Sequence, residues 1–281
     1  MIKFKNVFYQ YEDLDFPALN DISLEIEAGE YVALIGPNGC GKTTLIRQIN
    51  ALLRPQHGHV TVDGMDTADP ANHKEIRRLV GMLFQNPDNQ LVGMTVEEDI
   101  AFGPGNRHVP PPEIRRQVAD ILDKFGLQSF AGRAPHNLSG GEKRLVSLAG
   151  VLVMAPRYIA FDEPTAYLDP SSRQRILAMM KRLHHEGIGI IHITHEAGDI
   201  ADAGRLLVME SGKIVMDGNP TQVMCKMAEN KNPSFTMPPV MELMYRLNRQ
   251  GWPLPPDIFS PREASREIHR LLDQSRQRDR S

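Results

Sequence analysis

Gly36-Pro37-Asn38-Gly39-Cys40-Gly41-Lys42-Thr43 has the spacing G-x-x-x-x-G-K-[ST] of a loop that binds phosphate. The chemistry lies in the backbone. Glycines let successive N–H groups turn inward around phosphate oxygens. A helix starting at the end of the loop adds a partial positive charge. Lys42 is expected to reach the β- and γ-phosphates, and the Thr43 hydroxyl to hold Mg²⁺. Thr44, next in the chain, is counted among the nucleotide contacts. The bare pattern arises by chance in roughly one chain per hundred of this length, so context decides.

Two further segments can do chemistry. Tyr158-Ile159-Ala160-Phe161 is an apolar run that delivers Asp162 and Glu163 to its carboxyl end, where ligands bind in open α/β sheets. Asp162 is placed to hold Mg²⁺ and Glu163 to polarise an attacking water. An isolated Asp-Glu pair is ordinarily a solvated turn; the buried strand in front of this one favours chemistry. Leu138-Ser139-Gly140-Gly141-Glu142 precedes a helix read over Lys143–Val153 and makes a second anion-binding helix end. Taken alone, Ser-Gly-Gly is also an ordinary loop.

The elements that must position these residues are legible from hydrophobic pattern. Tyr31–Ile35 reads as a buried strand before the glycine loop, and Thr43–Leu53 as a helix with Leu45, Ile49 and Leu52 on one face. Residues 2–11 alternate and read as an edge strand. Ile22–Ile26, His59–Val62, Gly81–Gln85, Ile188–Ile193 and the hairpin pair Leu206–Met209 and Lys213–Met216 read as further strands. From Thr95 to about Val153 the character is helical. Thr95 with Glu98 is the pattern of a capping box, and Glu113–Phe125 is amphipathic. Pro170–His185 reads as a helix. Strands separated by helices predict a parallel sheet with right-handed crossovers. Beyond Cys225, Pro233, Pro238-Pro239, Pro253 and Pro255-Pro256 divide the chain into short pieces. Short helices are read at 240–247 and 261–272, and the polar tail from Gln274 is expected to fray.

Composition excludes several classes. The 281 residues suffice for one large domain and a small appendage. A formal net charge of −3 gives no electrostatic footprint for nucleic acid. Two cysteines, Cys40 and Cys225, suit a reducing cytosol and imply no disulfide framework. The N-terminal residues lack the apolar core of a signal peptide. No stretch reaches about 18 apolar residues, so a membrane connection is expected only through a partner.

In their order along the chain, the glycine loop, Ser139-Gly140-Gly141 and Asp162-Glu163 resemble the motifs of the ATPase subunits of ABC transporters, over about residues 1–225. The resemblance implies an α/β P-loop NTPase fold with a mostly parallel sheet, an antiparallel β subdomain and a helical subdomain at about 95–153. A small helical appendage at 226–281, with a possible role in dimerisation, follows. ATP and Mg²⁺ are the implied ligands, with Gly36, Pro37, Asn38, Gly39, Cys40, Gly41, Lys42, Thr43 and Thr44 around the phosphates. Tyr11 resembles the aromatic that stacks on adenine. Gln85 resembles the glutamine that senses Mg²⁺ and the attacking water, and the loop after it the contact to the membrane partner. His195 resembles the histidine that contacts the γ-phosphate; a lone histidine is ordinarily a surface or satisfied core residue, so this role rests on the resemblance. Ser139, Gly140 and Gly141 of one subunit are expected to close on the ATP of a second, identical or related ATPase subunit. Integral membrane transporter subunits are the other implied partners, which places the chain peripherally on the cytoplasmic face of the cell membrane.

Three residues depart from the family's usual pattern. Cys40 stands where serine is common, and only its backbone N–H is expected to matter. Glu142 replaces a common glutamine and is expected to lie beyond the Ser139-Gly140-Gly141 contact. Tyr167 is bulkier than the usual residue. Within the family, Phe84–Leu91, Thr95–Pro104 and Pro238–Leu243 are similar to energy-coupling factor ATPases, which serve importers of vitamins and of cobalt or nickel ions. Alternatives are the ATPase of another ABC importer or exporter, or an ABC protein acting on DNA or the ribosome, although neither a long coiled-coil insertion nor a second cassette is present. A plain P-loop kinase or GTPase is disfavoured by Ser139-Gly140-Gly141 and by the lack of an Asn-Lys-x-Asp motif.

Overall fold

The computed structural model describes residues 1–229, 239–255, 258 and 261–278. The first half contains β1 (Ile2–Tyr9), β2 (Leu19–Ile26), β3 (Tyr31–Ile35), α1 (Lys42–Ile49), β4 (His57–Val62), β5 (Met65–Asp66), α2 (His73–Leu79), β6 (Val80–Leu83), α3 (Val96–Asn106) and α4 (Pro111–Phe125). The second half contains α5 (Gly140–Leu152), β7 (Tyr158–Asp162), α6 (Pro170–His185), β8 (Gly189–Ile193), β9 (Arg205–Glu210), β10 (Lys213–Gly218), α7 (Pro220–Glu229), α8 (Pro239–Arg249) and α9 (Pro261–Arg278).

The larger sheet has the order β10-β9-β3-β8-β7-β6, with β9, β3, β8, β7 and β6 parallel and β10 antiparallel at one edge. A smaller antiparallel sheet has the order β2-β1-β4-β5. The parallel strands are buried on both faces, and the side-chain period of two assigns each residue to a layer. On β7, Tyr158 and Ala160 pack toward α1 and the small sheet, whereas Ile159 and Phe161 pack toward α5 and α6. On β3, Val32 and Leu34 join the first layer, and Ala33 and Ile35 pack with Val223, Met224 and Met227 of α7. Every residue of β3, β7 and β8 is buried. The carboxyl ends of these strands are therefore rigid mounts for whatever follows them.

Local chemistry sets the helix ends. Pro111 at the start and Gly126, with φ 64°, at the end frame α4. Asp169 caps α6 by accepting from the N–H groups of Ser171 and Ser172. At α3 only half of the expected box forms. The Thr95 hydroxyl accepts from Glu98 N–H, but the Glu98 carboxylate takes the N–H of Met94.

Several expectations are corrected. Strand β1 is interior rather than an edge, because β2 pairs along one side of it and β4 along the other. Helix α1 stops at Ile49, and Ala51 takes φ 55°, which turns Leu52 outward to 43% exposure. Helix α2 was not legible, since its seven residues bury only Ile76. Helix α5 starts at Gly140, so both glycines lie in its first turn. Helix α7 runs across Cys225, and α9 continues past Gln274 to Arg278. The proline breaks read at Pro233, Pro238 and Pro256 lie outside the described residues, as do 279–281.

Candidate functional site

Gly36–Gly41 forms the connection from β3 to α1 with Gly36 at φ 152°, Gly39 at 78° and Gly41 at 106°. A Cβ on Gly41 would lie 2.0 Å from the carbonyl oxygen of Ala18, and one on Gly36 would lie 2.1 Å from that of Met209. The loop thus presses backbone on backbone at two points and can be built only with glycine there. Lys42 is buried, and its Nζ donates to the carbonyls of Gly36 (2.8 Å) and Pro37 (3.0 Å), curling the loop around the ammonium. Cys40 is buried as well; its N–H donates to Pro37 O, and burial raises its thiol pKa. Gly41→Ala combines a left-handed alanine, about 1–2 kcal/mol, with overpacking, about 1–3 kcal/mol. The expected result is a lower unfolding temperature by calorimetry together with loss of ATP binding by titration; a variant that binds ATP normally would contradict this account of the loop.

The catalytic candidates come from the ends of four neighbouring strands. The glycine loop follows β3, Thr194-His195 follows β8, Asp162 ends β7 with Glu163 after it, and Gln85 follows β6. Thr43 Oγ1 donates to Asp162 Oδ1 at 3.2 Å. Burial raises the Asp162 pKa, opposed by this hydrogen bond. Glu163 is held at both oxygens: Gln85 Nε2 donates to Oε2 at 2.8 Å, and His195 Nε2 lies 2.8 Å from Oε1. Its own N–H donates to Ile193 O at 3.0 Å. Glu163 has φ 48°, a left-handed conformation that costs a non-glycine residue about 1–2 kcal/mol. Every residue of β7 in front of it is buried, with Phe161 alone contributing about 1.5–3 kcal/mol, so the packed strand holds the carboxylate in place against that strain.

Gln85, Glu163, Lys42, Thr43, Thr44 and Tyr11 line one cleft of about 380 Å³ together with Leu14, Ala18, Asn38, Gly39 and Gly41. Tyr11 lies beyond the end of β1, its hydroxyl 3.2 Å from Thr44 Oγ1 and its ring edge-on to Tyr9 at 5.0 Å. Ser139, Gly140 and Gly141 are not among the lining residues of this cleft. Gly140 instead lines a second cleft, of about 430 Å³, with Gln85, Asp88, Lys143, Arg144 and Tyr167. Tyr167 is 96% exposed at φ 62°.

Glu142 departs from expectation. It completes a capping box on α5: its carboxylate accepts from both the N–H and the hydroxyl of Ser139, each at 2.7 Å. These bonds lower its pKa. The charge is in direct contact with Ser139 rather than beyond it, because N3 of a helix reaches back to the N-cap. Sequence reading also missed Arg144, which is 1% exposed and donates to the carbonyls of Phe84 and Gln85. Asp199 was missed too. It is buried, takes Thr165 Oγ1 at 2.6 Å and Arg173 Nε at 2.8 Å, and lies 3.4 Å from Thr194 Oγ1, tying the loop after β7 to the loop after β8. No spacing signals either residue; tertiary packing alone buries them.

A mostly parallel sheet with a glycine phosphate loop after β3 and a carboxylate pair at the end of β7, two strands away, defines a P-loop nucleoside triphosphatase. The model of the family described as ABC transporter matches residues 19–166. The chain belongs to the ABC transporter family and is an ATPase of it. It is 53% identical over 268 residues to the cobalt import ATP-binding protein CbiO of Syntrophus aciditrophicus, covering 95% of this chain and 96% of that protein. It is 45% identical to the energy-coupling factor transporter ATP-binding protein EcfA of Methanosarcina acetivorans, covering 97% and 99%. Among solved structures, cbiO1 of Clostridium perfringens, part of the ABC transporter complex cbiONQ, matches with TM-score 0.74 and 33% identity over 89% of this chain and 96% of that one. The dimeric ATP-binding cassette MJ0796 bound to ADP and Pi matches with TM-score 0.72 and 28% identity over 78% and 99%. Among the described residues, no helix is long and apolar enough to cross a membrane.

Proposed function

We propose that the chain is the ATP-hydrolysing subunit that energises an importer of the energy-coupling factor type, with cobalt or nickel ions or a vitamin as the solute. The observation that carries the ATP-hydrolysing role is the grip of Gln85 and His195 on both oxygens of Glu163, beside the Thr43–Asp162 pair at the start of α1; the importer type is supported by the relatives named for cobalt import and energy-coupling factor transport. Lys42 and backbone N–H groups of the glycine loop bind the phosphates. Glu163, oriented from two sides, accepts the proton of the attacking water, and His195 contacts the γ-phosphate.

Mg²⁺ fits the donor set. Among the described residues no group of three or more His, Cys, Asp or Glu side chains converges on an ion. A hydroxyl, a carboxylate and an amide oxygen at Thr43, Asp162 and Gln85 are the hard oxygen donors that suit an ion sharing its shell with phosphates and water. Bound there, Mg²⁺ supplies charge neutralisation at the β- and γ-phosphates.

Ser139-Gly140-Gly141 does not line the Lys42 cleft, which supports a head-to-tail pair in which this helix end closes on the partner subunit's ATP. The partner is a second copy or a related subunit. We assign residues 1–225 to the ATPase core, with 95–153 as its helical part, and 226–281 to an appendage that helps join the two subunits. Integral membrane subunits complete the transporter and hold the chain at the cytoplasmic face. The relative with 53% identity is named for cobalt import, so cobalt is the first solute to test. Affinity-tagged chain extracted in detergent from its native host should co-purify with multi-spanning membrane proteins, and vesicles of that complex should take up radiolabelled cobalt or a vitamin with ATP. Co-purification with ribosomes or DNA, or with an exporter permease, would refute the proposal.

A further inference from the structure

We propose that Arg144 is a positioning residue that clamps the loop carrying Gln85 to the helix whose first turn presents Ser139-Gly140-Gly141. This rests on the roles given to Gln85 and Glu163 above. Arg144 ranks among the largest side chains that are fully buried. A guanidinium in such a place ordinarily pairs with a carboxylate. Here its hydrogen-bond partners are two consecutive backbone carbonyls, Phe84 O through one terminal nitrogen and Gln85 O through the other. Its Nε has no partner. Burial lowers its pKa to about 10, which leaves it cationic at neutral pH, and Asp162 is the carboxylate whose charge it feels.

A fork that spans two carbonyls fixes both the position and the rotation of the peptide between them, which a single contact does not. Gln85 leaves that peptide and reaches Glu163 at 2.8 Å. A second tie runs in parallel: Lys143, the preceding residue of α5, pairs with Asp88 at 2.7 Å. Farther along the loop, Gln90 accepts from Phe84 N–H and donates to Met82 O, so the loop is stiff within itself. The chain of contacts runs from Ser139 along the rigid first turns of α5 to Arg144, to the Gln85 backbone, and to the Glu163 carboxylate. A rotation of α5 that brings Ser139 onto a partner subunit's ATP would therefore carry Gln85 with it. This gives two remote parts of the apparatus one mechanical connection.

The test uses full-length protein and a double-mutant cycle. Arg144→Met keeps the bulk and removes the fork. It is expected to lower kcat for ATP hydrolysis about 10-fold, with ATP affinity and KM within about twofold of the parent. In a Gln85→Ala background, where the side chain it positions is gone, Arg144→Met should produce no further loss. An equal loss in both backgrounds would overturn the proposal, as would unchanged kcat in a folded Arg144→Met protein. Should Arg144→Met fail to fold, Arg144→Lys decides in the same two backgrounds. One ammonium cannot hold both carbonyls in the fork geometry, so a smaller loss that again vanishes without Gln85 is expected. A defect in the underlying reading has a different signature: Gln85→Ala alone would leave turnover unchanged, which removes the ground of this inference too.

Discussion

Glu163→Gln is expected to slow ATP turnover by about 10²-fold or more while ATP binding stays intact. The amide is nearly isosteric with the carboxylate, so the backbone at φ 48° and the packing of Phe161 beneath it are retained. Proton acceptance is what disappears. The amide oxygen can still accept from Gln85 Nε2, but the other position now presents N–H to His195 in place of a carboxylate oxygen. ATP should accumulate on the protein, and with it the closed pair of subunits. Phosphate release under saturating ATP gives the rate, and equilibrium titration gives the affinity. A rate near that of the parent would show that Glu163 is not the group that activates water.

Ser139→Arg should abolish ATP-driven association of two subunits and leave nucleotide binding by the single subunit unchanged. The residue caps α5 and does not line the cleft of the glycine loop. Loss of the cap costs about 1 kcal/mol of helix stability, and Glu142 can still pair with the new guanidinium, so the fold is expected to persist. The larger effect is expected at the boundary between subunits, where a long cation replaces the small hydroxyl at the helix end proposed to meet the partner subunit's ATP. Light scattering of the Glu163→Gln background with and without Ser139→Arg, in the presence of ATP, reads it. An ATP-dependent dimer that survives the change would contradict the head-to-tail arrangement.

Glu142 bears on the same surface. Its carboxylate occupies the N–H and hydroxyl of Ser139, the groups assigned to a partner subunit's phosphate. That competition follows from the spacing of Ser139 and Glu142, the same three-residue step read as a capping box at Thr95 and Glu98, although Glu142 by itself reads only as a modest exchange for glutamine. Capping geometry folds N3 back over the N-cap; the structure decides which box closes fully, at Ser139 and Glu142 but only by half at Thr95 and Glu98.

The chemistry-bearing residues were legible because each sits in a local pattern. A glycine loop between an apolar strand and a helix, two carboxylates after a buried strand, and a serine with two glycines at a helix start all express the preferences of short segments. So does α6, whose bounds Pro170 and His185 follow from a proline at N1 and an aspartate cap. Local rules failed where packing decided. Strand β1 became interior because β4 closed on its free side. Leu52 turned outward because Ala51 ended the helix. Seven residues of α2 buried too little to leave a signal.

Sequence by itself therefore determined the phosphate loop, the carboxylate pair and the order of strands and helices apart from β5 and α2, since these follow from residue type and period over a few neighbours. Tertiary structure alone decided that Gln85, Glu163 and His195, separated by up to 110 positions in the chain, meet within hydrogen-bond distance, and that Arg144 is buried against the loop beside them. The physical reason is that strand order in a parallel sheet is set by crossovers and shared burial, which bring distant strand ends side by side and leave no mark at any one position.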